Sequence, residues 1–193
     1  MGTMAVLAQP ARADSVDIAT DLECGVETYY SELECGSLHA GIWSSESIRR
    51  FATLLKFDVA GNLPVGAEVT SATLHLNREV DFRSYDEPSD ELSVYAMETP
   101  FTVFDTWFTL GGDDWNNPGT SDTPEDTVVP ADGPLEWDVT ALVSDWATST
   151  LPNYGLAVAD DESKYIGEQR SQFSSSENET VALRPYLEVE YTE

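Results

Sequence analysis

This chain has almost no lysine. Lys56 and Lys164 are the only two, and lysines and arginines together number 9 against 36 acidic residues, for a formal charge of -27 over 193 residues. A surface this negative is a poor partner for nucleic acid or an anionic membrane. It also repels an anionic polysaccharide unless a local basic patch or bound cations intervene. Histidine is nearly as scarce: His39 and His75 fall on different expected elements, which gives no basis for a catalytic triad. No G-x-S-x-G elbow, H-E-x-x-H pair or phosphate-binding loop occurs. The two cysteines, Cys24 and Cys35, have no histidine cluster beside them and make no zinc site. No apolar run is long enough to cross a bilayer as a helix. Carboxylates are so numerous that a glycosidase pair cannot be picked out by counting, so a lyase or hydrolase acting on polysaccharide has no motif in its favour.

What remains is a chain of one-domain size with 41% hydrophobic residues, enough to bury a core. The excess of acid has three readings: solvation in high salt, cation binding (calcium above all) by clustered Asp and Glu, or an extracellular protein of low pI. The N-terminal AVLAQPARADS contains Ala11-Arg12-Ala13, the small-x-small form of a signal-peptidase site. Residues 1–13 are therefore read as a residual signal peptide or tag, and residues 14–193 as a single domain. An even pair of cysteines in an exported chain predicts a disulfide, worth about 2–3 kcal/mol by loop-closure entropy. The expected location is secreted, extracellular or at the cell surface.

Hydrophobic periodicity gives the fold class. Val69 to Asn77 alternates, with Ala72, Leu74 and Leu76 on one face and Ser71, Thr73 and His75 on the other. Phe51–Phe57, Leu92–Met97, Leu135–Val139, Tyr154–Ala159 and Tyr186–Tyr191 read as further strands, the last with Leu187, Val189 and Tyr191 inward. Asp14–Thr20 and His39–Trp43 are short strand candidates. Asp21–Gly36 reads as a disulfide-pinned loop or hairpin, Lys164–Gly167 as a short strand, and Arg170–Ser174 as a strand pairing at an edge. One helix is expected after Asp138 or Thr140 as cap, with Val139, Leu142, Val143 and Trp146 as its apolar stripe. Many short strands with turn signals between them predict an all-β, antiparallel, jelly-roll-like β-sandwich with one short helix. Residues 99–133 form a long polar passage, and loops of such length in compact domains are usually functional or mobile.

Several motifs in order resemble one family. Leu54-Leu55-Lys56-Phe57-Asp58 is followed by Pro64 to Leu76 in the pattern P-x-G-x-x-V-x-x-A-x-L-x-L. Next come Asp105-Thr106-Trp107 and Asp114-Trp115-Asn116-Asn117, then Asp138-Val139-Thr140 through Val143 to Trp146, then Asn153-Tyr154-Gly155-Leu156. Phe173, Ser175 and Glu177 and then Arg184-Pro185-Tyr186-Leu187, Val189 and Tyr191 complete the series. From about Tyr30 to Tyr191 the chain resembles the DNRLRE-type domain, a β-sandwich module of exported proteins. Ser176 stands where that family has arginine, so no role is carried over for it. The resemblance implies a non-catalytic module. Some relatives bind carbohydrate, including alginate-like polyuronates, and others are repeats in cell-surface or matrix proteins.

Recognition is then expected in the loops. Trp115, Trp107 and Tyr85 are candidates to stack on a sugar ring, with Trp43 a weaker one, while Trp137 and Trp146 are assigned to the core. Arg78 and Arg83 could grip a uronate carboxylate or pair with the surrounding acid. Asp113 and Asp114, with Asn116 and Asn117, are candidate oxygen ligands for calcium, although a solvated loop fits the spacing better. No cofactor is required, calcium being the one candidate. The leading reading is a non-catalytic, exported carbohydrate-binding module whose partner is a polysaccharide or cell-surface glycan. The alternative is a structural or adhesive surface protein that assembles through edge strands, with Ser15–Thr20 as donor.

Overall fold

The computed structural model describes residues 13–28, 35–36, 38–44, 48–79, 91–112, 117–160 and 169–193. Ten strands follow one another: β1 (Ala13–Glu27), β2 (Leu38–Ser44), β3 (Ile48–Phe57), β4 (Glu68–Arg78), β5 (Leu92–Ala96), β6 (Asp126–Val128), β7 (Gly133–Asp138), β8 (Leu156–Asp160), β9 (Gln169–Phe173) and β10 (Tyr186–Thr192). Two helices interrupt them, α1 (Val59–Asn62) and α2 (Thr140–Ala147). All strand pairings are antiparallel. The chain is an all-β sandwich, as the alternation predicts.

β1 joins the two layers. Its first half pairs with β10 and its second half with β3, with a register shift between Thr20 and Leu22. The extra residue bends the strand so that it can change partners. The sequence expectation of a strand followed by a pinned loop placed the break correctly, at Asp21, but the strand continues to Glu27. One layer carries β1's first half, β10, β4 and β7; the other carries β1's second half, β3, β8, β5 and β6. β2 and β9 connect β3 to β4, so β9 is an interior strand and not the edge its polarity suggests. Ser15–Thr20, the candidate donor, is paired within its own chain, Ser15 to Ala19 along β10 and Thr20 with Phe57 of β3.

The main core fills the space between the layers. Ala72, Leu74 and Leu76 of β4 and Leu187 and Val189 of β10 are all essentially buried. Tyr191, expected inward, is only half-buried at the strand end. Trp137 of β7 is fully buried, and its Nε1 donates to the Leu92 carbonyl of β5 at 3.0 Å, which ties one layer to the other. α2 adds Leu142, Val143 and Trp146 to this core. The N-cap of α2 is Val139, which makes no side-chain cap bond, and not Asp138 or Thr140 as expected; Asp138, one residue earlier, accepts through Oδ1 from the Thr140 backbone N–H at 2.9 Å and from its hydroxyl at 2.6 Å. The hydroxyl and then the N–H hold the Asp138 carboxyl below the usual carboxylate range. α1, a single turn that the turn chemistry of Gly61 and Asn62 concealed, is capped by Asp58 Oδ1 accepting from Gly61 N–H at 2.9 Å.

A second core lies on the other face of β1, β3, β8 and β5. It contains Cys24, Val26, Ala52, Leu54, Ala157 and Ala159 from the strands, and Met97, Phe101, Trp107 and Leu110 from the segment that follows β5. Within β3 and β8 the two cores take alternate residues: Leu55, Leu156 and Val158 point to the main one, Leu54, Ala157 and Ala159 to the second. Cys24 and Cys35 are disulfide-bonded, fastening β1 to the connection before β2. Lys164–Gly167 lies outside the described residues.

Candidate functional site

The long polar passage is a built structure over its described length. Its two limbs meet beside β5: Met97 bridges Thr120, Glu98 N–H donates to the Gly119 carbonyl at 2.7 Å, and Ser121 N–H donates to the Ala96 carbonyl at 2.9 Å. Between these ends Phe101, Trp107 and Leu110 point down into the second core. Such a loop, with joined ends and its own buried side chains, is compact by construction. The passage also contributes β6, which the sequence reading left inside the loop.

Short-range hydrogen bonds fix the outward turn. Asp105 Oδ2 accepts from the Thr102 N–H at 2.7 Å and from the Thr102 hydroxyl at 2.8 Å. Thr109 Oγ1 accepts from Thr106 N–H at 2.7 Å, and Leu110 N–H donates to the Thr106 carbonyl at 3.1 Å. These Asx and Ser/Thr turns replace the bonds a strand would have made. Gly112 lets the chain close over the indole, since a Cβ there would come within 2.5 Å of Trp107 Nε1. Gly155 (φ 104°) plays the same part underneath, where a Cβ would stand 2.4 Å from the Leu55 carbonyl oxygen.

With three apolar side chains anchored inward, the turn presents two others outward. Phe104 is 87% exposed and Phe108 is 56% exposed, with Val103 beside them. Aromatic faces held in water on an ordered turn cost hydrophobic free energy and mark a contact surface. Thr102, Asp105, Thr106 and Thr109 alternate with them along the turn, and their hydroxyl and carboxylate oxygens hydrogen-bond to one another.

The candidate site residues from the sequence fall as follows. Trp107 is 1% exposed and serves as the anchor of the loop, with no ring face left for a ligand. Arg78 is 5% exposed; its guanidinium pairs with Asp132 through Nη1 and donates from Nε to Ser171 Oγ at 3.1 Å. Its charge is thus used inside the chain, the ion-pair reading of that residue. Trp115, Tyr85, Arg83, Asp113 and Asp114 lie outside the described residues, as do Asn116 and the side chain of Trp43. Among the described residues no group of three or more His, Cys, Asp or Glu side chains is placed to hold a metal ion. Phe104 and Phe108 were missed by the sequence reading. The signal was present: in F-T-V-F-D-T-W-F-T-L, apolar residues outnumber what one buried face of a turn can take.

A search of curated proteins gives no match. The family model of carbohydrate-binding module family 96 matches residues 40–191. The chain belongs to this family. The match runs from β2 into β10 and so takes in every strand except β1, together with the loop that follows β5. Membership of a carbohydrate-binding family gives the exposed phenylalanines a chemical context: pyranose rings present patches of C–H, which pack on aromatic faces.

Proposed function

We propose that the chain is a non-catalytic, exported carbohydrate-binding module that recognises a polysaccharide through the outer surface of the 101–119 loop. Phe104 and Phe108 pack on the sugar rings, and the Thr and Asp side chains beside them accept and donate hydrogen bonds to hydroxyls. The observation that carries this reading is the pair of exposed phenylalanines on a turn pinned by buried Trp107. A preformed aromatic surface loses little entropy on binding. The net charge of -27 favours a neutral chain over a polyuronate, and calcium held by Asp113 and Asp114 is the route by which an acidic chain would be tolerated. The disulfide suits an oxidising compartment, in keeping with export. The DNRLRE-type resemblance supports the same reading.

Affinity electrophoresis through neutral and acidic polysaccharides, with calcium and with chelator, tests it. Retention by at least one polysaccharide is expected, and Phe104→Ala/Phe108→Ala is expected to weaken it about tenfold or more while leaving the melting temperature nearly unchanged. Retention untouched by the double substitution would remove the loop from the account. No retention on any polysaccharide would remove the binding function itself.

A further inference from the structure

A cleft of about 340 Å³ opens where the end of β5, the 121–125 segment, α2 and the 151–154 segment meet. It lies at the low end of the ~300–1,000 Å³ typical of small-molecule sites. Its floor is apolar and rigid, made by Met97, Leu142 and Trp146, which are each no more than 4% exposed. Half-buried Tyr154 and exposed Leu151 form one wall, and Glu98 and Glu125, both exposed, line the cleft from the other elements. Among the described residues no lysine or arginine lines it. Burial and then the neighbouring Asp145 on α2 push the Glu125 carboxyl above its usual range.

An apolar floor, an aromatic wall and two carboxylates, with no basic residue among the described ones that line the cleft, are the parts of a site for an organic ammonium. The carboxylates accept charge-assisted hydrogen bonds, and the tyrosine face attracts a cation. We propose that this cleft binds an amino-sugar residue through its free ammonium group. The ring's C–H face rests on the floor, and the ammonium turns toward Glu98 and Glu125. A uronate is excluded by the same carboxylates, and an N-acetylated sugar forfeits the charge. The site is separate from the aromatic turn and stands or falls without it.

Titration of the whole chain by calorimetry at about pH 6.5, where an α-amino type of amine is still mainly protonated, tests the assignment. The ligands are a glucosamine oligomer, its fully N-acetylated counterpart, a uronate oligomer and putrescine. The expected result is that the glucosamine oligomer binds at least about tenfold more tightly than the N-acetylated one, the loss of one charged contact. Glu125→Gln and Tyr154→Ala should each weaken it severalfold, Leu151→Trp should block it, and Phe104→Ala/Phe108→Ala should leave it unchanged. Equal binding of the two oligomers, tighter binding of the uronate, no binding at all, or indifference to Glu125→Gln in a variant of unchanged melting temperature would overturn the proposal. Putrescine binding as tightly as the oligomer would overturn the assignment to a sugar. Abolition of glucosamine binding by the phenylalanine double variant would place it on the loop and not in the cleft.

Discussion

The two layers of the sandwich bury their outer faces differently. β4 and β10 are one-sided: residues facing the main core are fully buried, while their neighbours stay partly or wholly in water. On that open face His75 stacks on Tyr186 at 4.3 Å between centroids, flanked by Glu188 at 3.3 Å and Glu136 at 3.6 Å. β8 and the end of β1 are buried on both faces, five consecutive residues in each. The difference comes from one segment, residues 97–112, which lays Phe101, Trp107 and Leu110 over the second layer. A sheet face can therefore be left to polar cross-strand pairs or be covered by a loop. The covered one becomes the stiff support on which a loop can hold exposed aromatics.

The sharpest way to break this comparison is to remove the anchor. Trp107→Ala should cost about 3–5 kcal/mol in urea unfolding, as for other buried tryptophans, and should open residues 101–112 to proteolysis. If the loss were under about 1 kcal/mol, the second core would not be a core. Next, Cys24→Ala/Cys35→Ala should cost about 2–3 kcal/mol by the loop-closure account, and reductant should lower the wild-type melting temperature but not that of the variant. Asp138→Ala, at the start of α2, should cost about 1 kcal/mol at neutral pH. Because the folded protein depresses this carboxyl, its contribution is present above the usual carboxylate range and is lost as pH falls through the lowered value. The gap between variant and wild type should therefore close in acid; a gap independent of pH would show that the ionised carboxylate's bonds to Thr140 are not what stabilises this end of α2. The smallest effect belongs to the open face. Tyr186→Ala removes a cross-strand stack and should cost no more than about 1 kcal/mol, well below the Trp107 value by the same measurement.

Legibility in the sequence followed the same division. β4 and β10 were placed within a residue or two because alternation is a one-dimensional record of a sheet with one wet face. β8, Leu-Ala-Val-Ala-Asp, has no such record, since both of its faces are dry; it was placed within two residues, as Tyr154–Ala159, by the Asn-Tyr-Gly turn that introduces it. β1 was read as two pieces because its bulge interrupts the period at the point where its partner changes. Arg78 was read as a ligand-gripping cation or, in preference, an ion-pair partner; the pairing with Asp132, 54 positions away along the chain, bears out the preferred reading.

Local pattern alone settled the class of fold, the position of α2 and the expectation of a disulfide, because these depend on the period of apolar residues and on an even pair of cysteines. Which side of a sheet is covered, which aromatics of residues 101–108 are spent on packing and which are left in water, and where Glu98 and Glu125 come to line one cleft were decided only by folding. Those outcomes depend on contacts between segments far apart in the chain, and burial is a property of what arrives on top of a residue, not of the residue itself.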